Sequence, residues 1–219
     1  MVFPRPIRAV VFDMDGLLID TEVLIRDLMM AVAADHGTRL PNEVFVRMVG
    51  LPEADSDAVA RAHFGPRFDL AAFNREVDER AYGAIQAGVA LKAGLLELLD
   101  HLEGAAVPRA IATSSSHASV RNKLEPSGVL ARFDAVVAAG DYARGKPHPD
   151  PFLVAAERLG VAPDLCLALE DSHNGVRSAH SAGMMTVMVP DLLDATEEMH
   201  EKCVTIAESL HHVRDLLIR

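Results

Sequence analysis

The chain has 219 residues, 50% of them apolar and 24% charged, the balance of a globular protein with room for one large domain or a core plus a small module. That composition excludes disorder, collagen-like structure and coiled coil. Asp and Glu number 32 against 21 Lys and Arg, a formal charge of −11, and such an acidic surface repels a phosphate backbone, so no nucleic-acid partner is expected.

Residues 1–6 (MVFPRP) do not read as a secretory signal, and no run reaches the roughly 18 apolar residues of a membrane span, so no membrane partner is expected. Residues 7–12 (IRAVVF) are rich in β-branched side chains and predict a buried parallel strand. The stretch 18–87 breaks from strand patterning. Ile25, Leu28, Met29, Val32 and Ala33 recur at helical spacing, as do Val44, Phe45 and Met48, and then Phe73, Val77, Ala81 and Ile85. Pro41, Gly50, Pro52, Gly65 and Pro66 punctuate this insert, and the chain returns near 88–94 (GVALKAG). Beyond it, helices at about 93–104, 116–126, 149–160, 173–182 and 206–217 alternate with strands at 109–113 (RAIAT), 134–138 (DAVVA), 165–169 (LCLAL) and 185–189 (MTVMV). This alternation predicts an α/β fold with a Rossmann-like, doubly wound parallel sheet. The core comprises 1–17 and 88–219, and 18–87 forms an all-helical cap domain. An insert at the carboxyl edge of such a sheet lies where ligands bind and is suited to act as a lid. Cys166 and Cys203 are far apart and outside metal-ligand spacing, which suits reduced, cytoplasmic thiols.

Four segments at predicted strand ends carry polar chemistry. In Phe12-Asp13-Met14-Asp15-Gly16, two carboxylates stand two residues apart; extended geometry points both the same way, and their repulsion favours a shared proton or an intervening cation. Asp-Gly is also ordinary turn chemistry, but an acid closing an uninterrupted apolar strand is costly without a partner. Thr113-Ser114-Ser115-Ser116 precedes a helix, as a cap or as an anion site of hydroxyls and free N–H groups. Lys146, in Gly145-Lys146-Pro147-His148, is either a solvated loop lysine or a charge partner for phosphate or carboxylate; His148 reads as a loop residue. Glu170-Asp171-Ser172-His173 follows the strand LCLAL. Its acids either cap the next helix or, with Asp13, offer hard oxygen ligands to Mg²⁺. Together the four segments supply what transfer through an aspartyl phosphate needs: a nucleophile, a proton donor, a phosphate clamp and a cation.

In order and content, FDMDGLLIDTE, TSSS, GKPHPDPF and LEDSHNGVRSAHSAGM resemble the motifs of the haloacid dehalogenase superfamily, in its helical-cap phosphatase and β-phosphoglucomutase branch. The resemblance implies Asp13 as nucleophile, and Asp15 as acid toward the leaving alcohol and then base toward water. It implies Thr113, Ser114 and Lys146 as phosphate ligands. Mg²⁺ would be held by Asp13, Asp15 (through its backbone carbonyl) and Asp171, with Glu170 helping directly or through water. The implied activity is Mg²⁺-dependent hydrolysis of a small phosphomonoester, a sugar phosphate or a nucleoside or nucleotide phosphate.

Two alternatives stand beside it: a sugar phosphomutase, and a non-catalytic phosphate-binding protein. The mutase pattern has a basic residue where this chain has Ser116, a cap arginine where it has Glu53, and a cap histidine where it has Ile25. A bisphosphate would therefore lack counter-charges here. The second aspartate, Asp15, is absent from dehalogenases. Ala93 replaces a usual linker proline. Glu22, Arg47 and Glu53 are candidate specificity residues of the cap.

Overall fold

The computed structural model describes residues 3–49, 51 and 53–218, the side chain of Glu53 excepted. Two compact units emerge, Met1–Asp20 with Ala90–Arg219, and Thr21–Val89, against sequence-derived changeovers at 17/18 and 87/88.

The larger unit is a parallel sheet wrapped by helices. Its strands are β1 (Ala9–Phe12), β2 (Arg109–Ser116), β3 (Ala135–Ala139), β4 (Cys166–Glu170), β5 (Met185–Met188) and β6 (Thr205–Ile206), in the order β3-β2-β1-β4-β5-β6. The smaller unit contributes helices α1 (Thr21–Asp35), α2 (Asn42–Val46), α3 (Glu53–Phe64) and α4 (Leu70–Ala87). The larger contributes α5 (Leu95–Gly104), α6 (His117–Leu124), α7 (Asp150–Leu159), α8 (His173–Ser181), α9 (Glu197–Lys202) and α10 (Leu210–Ile218).

Small side chains dictate how closely helices approach the sheet. Ala9, Ala110, Ala112 and Ala168 on the strands meet Phe152, Ala155 and Ala156 of α7 and Ala179 of α8 in one buried cluster. Val10, Phe12 and Ile111 alternate with these along their strands and are also fully buried, the pattern of a sheet covered on both faces. Among the described residues no helix is long and apolar enough to cross a membrane.

Strand order places the site. The chain winds outward from β1 through β2 to β3, then restarts on the other side of β1 with β4. The crevice beyond the carboxyl ends of β1 and β4 is thus the point of reversal, where open α/β sheets bind ligands. Phe12 pairs with Leu169, so Asp13 and Glu170 leave the sheet side by side.

Three elements differ from the sequence-derived ones. β2 runs on through Ser116, with its register against β3 shifting between Ala112 and Ser116. The last helix, expected at about 206–217, is α10, and it is preceded by α9, which the sequence patterning did not indicate. β6 adds a sixth strand at the edge of the sheet.

Within the smaller unit, Met29, Val32, Ala33, Phe45, Phe73, Val77 and Ala81 are buried, on the spacing that predicted helices. Phe64 stacks on Phe68 with ring centroids 4.2 Å apart, and Phe73 lies 5.6 Å from Phe68.

Candidate active site

Asp13 is the first residue past β1 and is 7% exposed; its N–H donates to the Leu169 carbonyl at 3.0 Å. The chain then turns sharply. Gly16 has φ +83°, and a Cβ there would come within 2.3 Å of Asp171 Oδ2, so conformation and space both demand glycine.

Lys146 reaches this floor from the loop before α7. Its Nζ donates to Asp13 Oδ1 and to Glu170 Oε1, both at 2.5 Å, and lies 5.1 Å from the centroid of the Phe152 ring. Burial works against its charge, but Asp13 and Glu170 outweigh burial and hold the ammonium above its ordinary range. Asp13 moves the other way. Burial pushes its pKa up to about 7, with Glu170 and Asp15 adding to the rise and Lys146 opposing it. Asp171 is also raised well above the carboxylate range, by burial first and then by Asp13 and Glu170.

Glu170, fully buried, is fastened at both oxygens. Oε1 accepts from Lys146, and Oε2 accepts from the N–H groups of Asp171 and Ser172 and from the Ser172 hydroxyl, at 3.1–3.2 Å. Gly175 of α8 makes room for it, since a Cβ at that position would stand 1.8 Å from Oε1.

Asp15 sits at the rim. Ser115 Oγ donates to its Oδ2 at 2.8 Å, and Lys123 Nζ to its Oδ1 at 2.6 Å. Thr113 is buried; its Oγ1 accepts from the Ser115 N–H at 3.0 Å, and its carbonyl accepts from the Tyr142 hydroxyl at 3.0 Å. Ser114 is exposed beside it.

Asp13, Glu170 and Asp171 each present an oxygen within 4.8 Å of the others; the Asp15 carboxylate is not in that group. Three carboxylates, two buried and one half-buried, against one lysine leave surplus negative charge, and an all-oxygen donor set suits a hard cation such as Mg²⁺.

The sequence reading therefore finds its residues together at strand ends of one sheet, apart from the specificity candidates. Glu22 and Arg47 belong to the smaller unit, and Gly50, Pro52 and the Glu53 side chain lie outside the described residues. It missed Lys123. Lys123 pairs with Asp15 from α6, seven residues or about two helical turns beyond Ser116, where the mutase pattern has its basic residue.

The model of the haloacid dehalogenase-like hydrolase family matches residues 10–189. A probable pseudouridine-5′-phosphatase of Drosophila melanogaster is 37% identical over 194 residues, covering 85% of this chain and 83% of that one. The "Phosphorylated carbohydrates phosphatase" of Thermotoga maritima is 30% identical over 177 residues, covering 81% and 82%. Among solved structures, a haloacid dehalogenase family hydrolase of Deinococcus radiodurans R1 with bound phosphate and sodium superposes with a TM-score of 0.83 at 28% identity, covering 97% of this chain and 95% of that one. A family match that runs from β1 past β5, through every strand end described above, makes the chain a member of the haloacid dehalogenase-like hydrolase family.

Proposed function

We propose that the chain is a Mg²⁺-dependent phosphomonoesterase acting in the cytoplasm on a small phosphorylated metabolite, a sugar phosphate or a nucleoside or nucleotide phosphate. The observation that carries this reading is the lysine bridge. Lys146 spans Asp13 and Glu170 on a buried floor beside Asp171, with Asp15 separately held two residues away.

Asp13 is the nucleophile. Lys146 fixes one of its oxygens, so attack comes from the other. A new bond forms between that oxygen and phosphorus as the bond from phosphorus to the alcohol oxygen breaks, leaving an aspartyl phosphate. Asp15 gives the departing oxygen a proton and takes one back from the water that hydrolyses the aspartyl phosphate, returning Asp13 free and releasing phosphate. Thr113 and the Ser114 amide hold phosphate oxygens at the end of β2, and Lys146 offsets the repulsion between two anions brought together. Asp13, Asp171 and the Asp15 carbonyl would hold Mg²⁺, which when bound supplies further charge neutralisation at the phosphoryl oxygens. Glu170, engaged on both oxygens, serves the metal best by orienting Lys146 and the backbone of Asp171.

Release of phosphate, as opposed to its relocation on a sugar, is supported by the phosphatase names of both relatives. The test is a phosphate-release screen over sugar phosphates and nucleotides, with Mg²⁺ present and then chelated. Release that survives chelation overturns the metal requirement. Glucose 6-phosphate formed from β-glucose 1-phosphate as fast as phosphate is released would replace the hydrolase by a mutase.

A further inference from the structure

Asp191 lies just past β5, and no part of the reaction above employs it. Its side chain is 9% exposed. Oδ1 accepts from Lys92 Nζ at 2.7 Å, whereas Oδ2 is buried with no hydrogen-bond partner among the described residues. A buried carboxylate oxygen left unpaired is among the less favourable features a fold can keep, and it calls for an explanation.

The location of Oδ2 supplies one. It stands 3.4 Å from the point where Gly16 would carry a Cβ, and Asp171 Oδ2 stands 2.3 Å from the same point. Two carboxylate oxygens from different strand ends thus pack against residue 16, in space that any side chain there would claim. Lys92 sets the direction. Its ammonium binds Asp191 and is ion-paired to Asp20 at 3.5 Å, and its N–H is tied to the Leu18 carbonyl at 2.9 Å. With Oδ1 pinned to Lys92, Oδ2 is held toward Gly16.

We propose that Asp191 is a positioning residue for the hydrated metal: its Oδ2, close to Asp171, would accept a hydrogen bond from a water on the metal that Asp171 holds. The inference rests on the reading of Asp13 and Asp171 as metal ligands. Mg²⁺ sheds its water reluctantly and is held partly through those waters. A water on a dication is a strong hydrogen-bond donor, and a carboxylate with a spare lone pair is its natural acceptor. Outer partners of this kind orient the inner shell and tune its affinity. Asp191 differs from Glu170 in this respect, because both Glu170 oxygens already accept hydrogen bonds, whereas Asp191 Oδ2 accepts none among the described residues.

The test is calorimetric titration of Mg²⁺ into the full chain without substrate, alongside Asp191→Asn and Asp171→Asn. In Asp191→Asn the amide oxygen still accepts from Lys92, while an NH₂ now stands in place of Oδ2. Mg²⁺ binding should weaken by about 10- to 100-fold, with the melting temperature of the metal-free protein held or raised and its Mg²⁺-induced rise reduced. A dissociation constant within twofold of wild type overturns the proposal, as does a melting temperature lowered equally with and without Mg²⁺. Wild type and Asp171→Asn separate the two readings. Tight wild-type binding lost in Asp171→Asn but kept in Asp191→Asn sinks Asp191 alone, whereas absence of wild-type binding sinks the metal site and Asp191 with it. Should Asp191→Asn fail to fold, Lys92→Met releases Oδ1 instead and should weaken Mg²⁺ binding more than twofold; unchanged binding there overturns the proposal equally.

Discussion

Asp13 and Asp15 are the same residue type two positions apart, and the chain treats them as opposites. Asp13 lies on the floor, shut from water, with its pKa pushed up to about 7 by burial against the pull of Lys146. Asp15 lies at the rim, less buried, between the Ser115 hydroxyl and Lys123. Environment, not residue type, separates a group suited to attack from one suited to pass protons. The floor is short of positive charge and the rim is not, so a missing cation disturbs one far more than the other.

The largest effect belongs to the floor. Asp13→Asn should lower phosphate release by about 10³-fold or more, as expected for a lost nucleophile, and intact-mass trapping with substrate should show no phosphoenzyme. A loss of less than tenfold would put the nucleophile elsewhere. The same variant sharpens the comparison through pH. A carboxylate whose pKa is raised by folding adds stability while protonated, below about 3.9, and loses it as pH climbs through the folded value. The metal-free wild type should therefore fall behind Asp13→Asn between about pH 4 and 7, by on the order of a few kcal/mol in denaturant titrations, with Mg²⁺ closing the gap. A constant difference across that range would contradict the raised value.

Lys146→Met comes next. It strands buried carboxylates without their counter-charge, which should cost about 3–5 kcal/mol in the metal-free protein; Mg²⁺ should restore part of this in thermal melts. At the rim, Asp15→Asn should slow alkyl phosphates by about 10²-fold while sparing the first step for aryl phosphates, whose leaving groups need no proton. Equal damage to both in a rapid-mix burst would remove the acid from Asp15. The smallest effect is Lys123→Met, about tenfold on alkyl phosphates through looser placement of Asp15, with little change in Mg²⁺ binding; a large fall in Mg²⁺ affinity would merge rim and floor into one device.

What could be read from the chain alone follows the same division. β1 and β4 are uninterrupted apolar runs, each with an acid at its carboxyl end, so position and chemistry were visible together. Met199 is the lone buried residue of α9, and β6 is two partly buried residues, Thr205 and Ile206; neither leaves a pattern long enough to detect. Partners far apart in the chain leave no local trace either. Lys123 finds Asp15 across 108 residues and Lys92 finds Asp191 across 99, and only the folded sheet brings them together.

Gly175 carries a consequence for anyone mapping this enzyme by mutation. It has no functional group, yet the smallest added methyl would drive into Glu170, whose oxygens are pinned on both sides and have nowhere to swing. A saturation screen scored on lost turnover should flag this position beside the carboxylates, and a chemist ranking residues by reactivity would pass over it. The hole it leaves is as much a working part as any side chain around it.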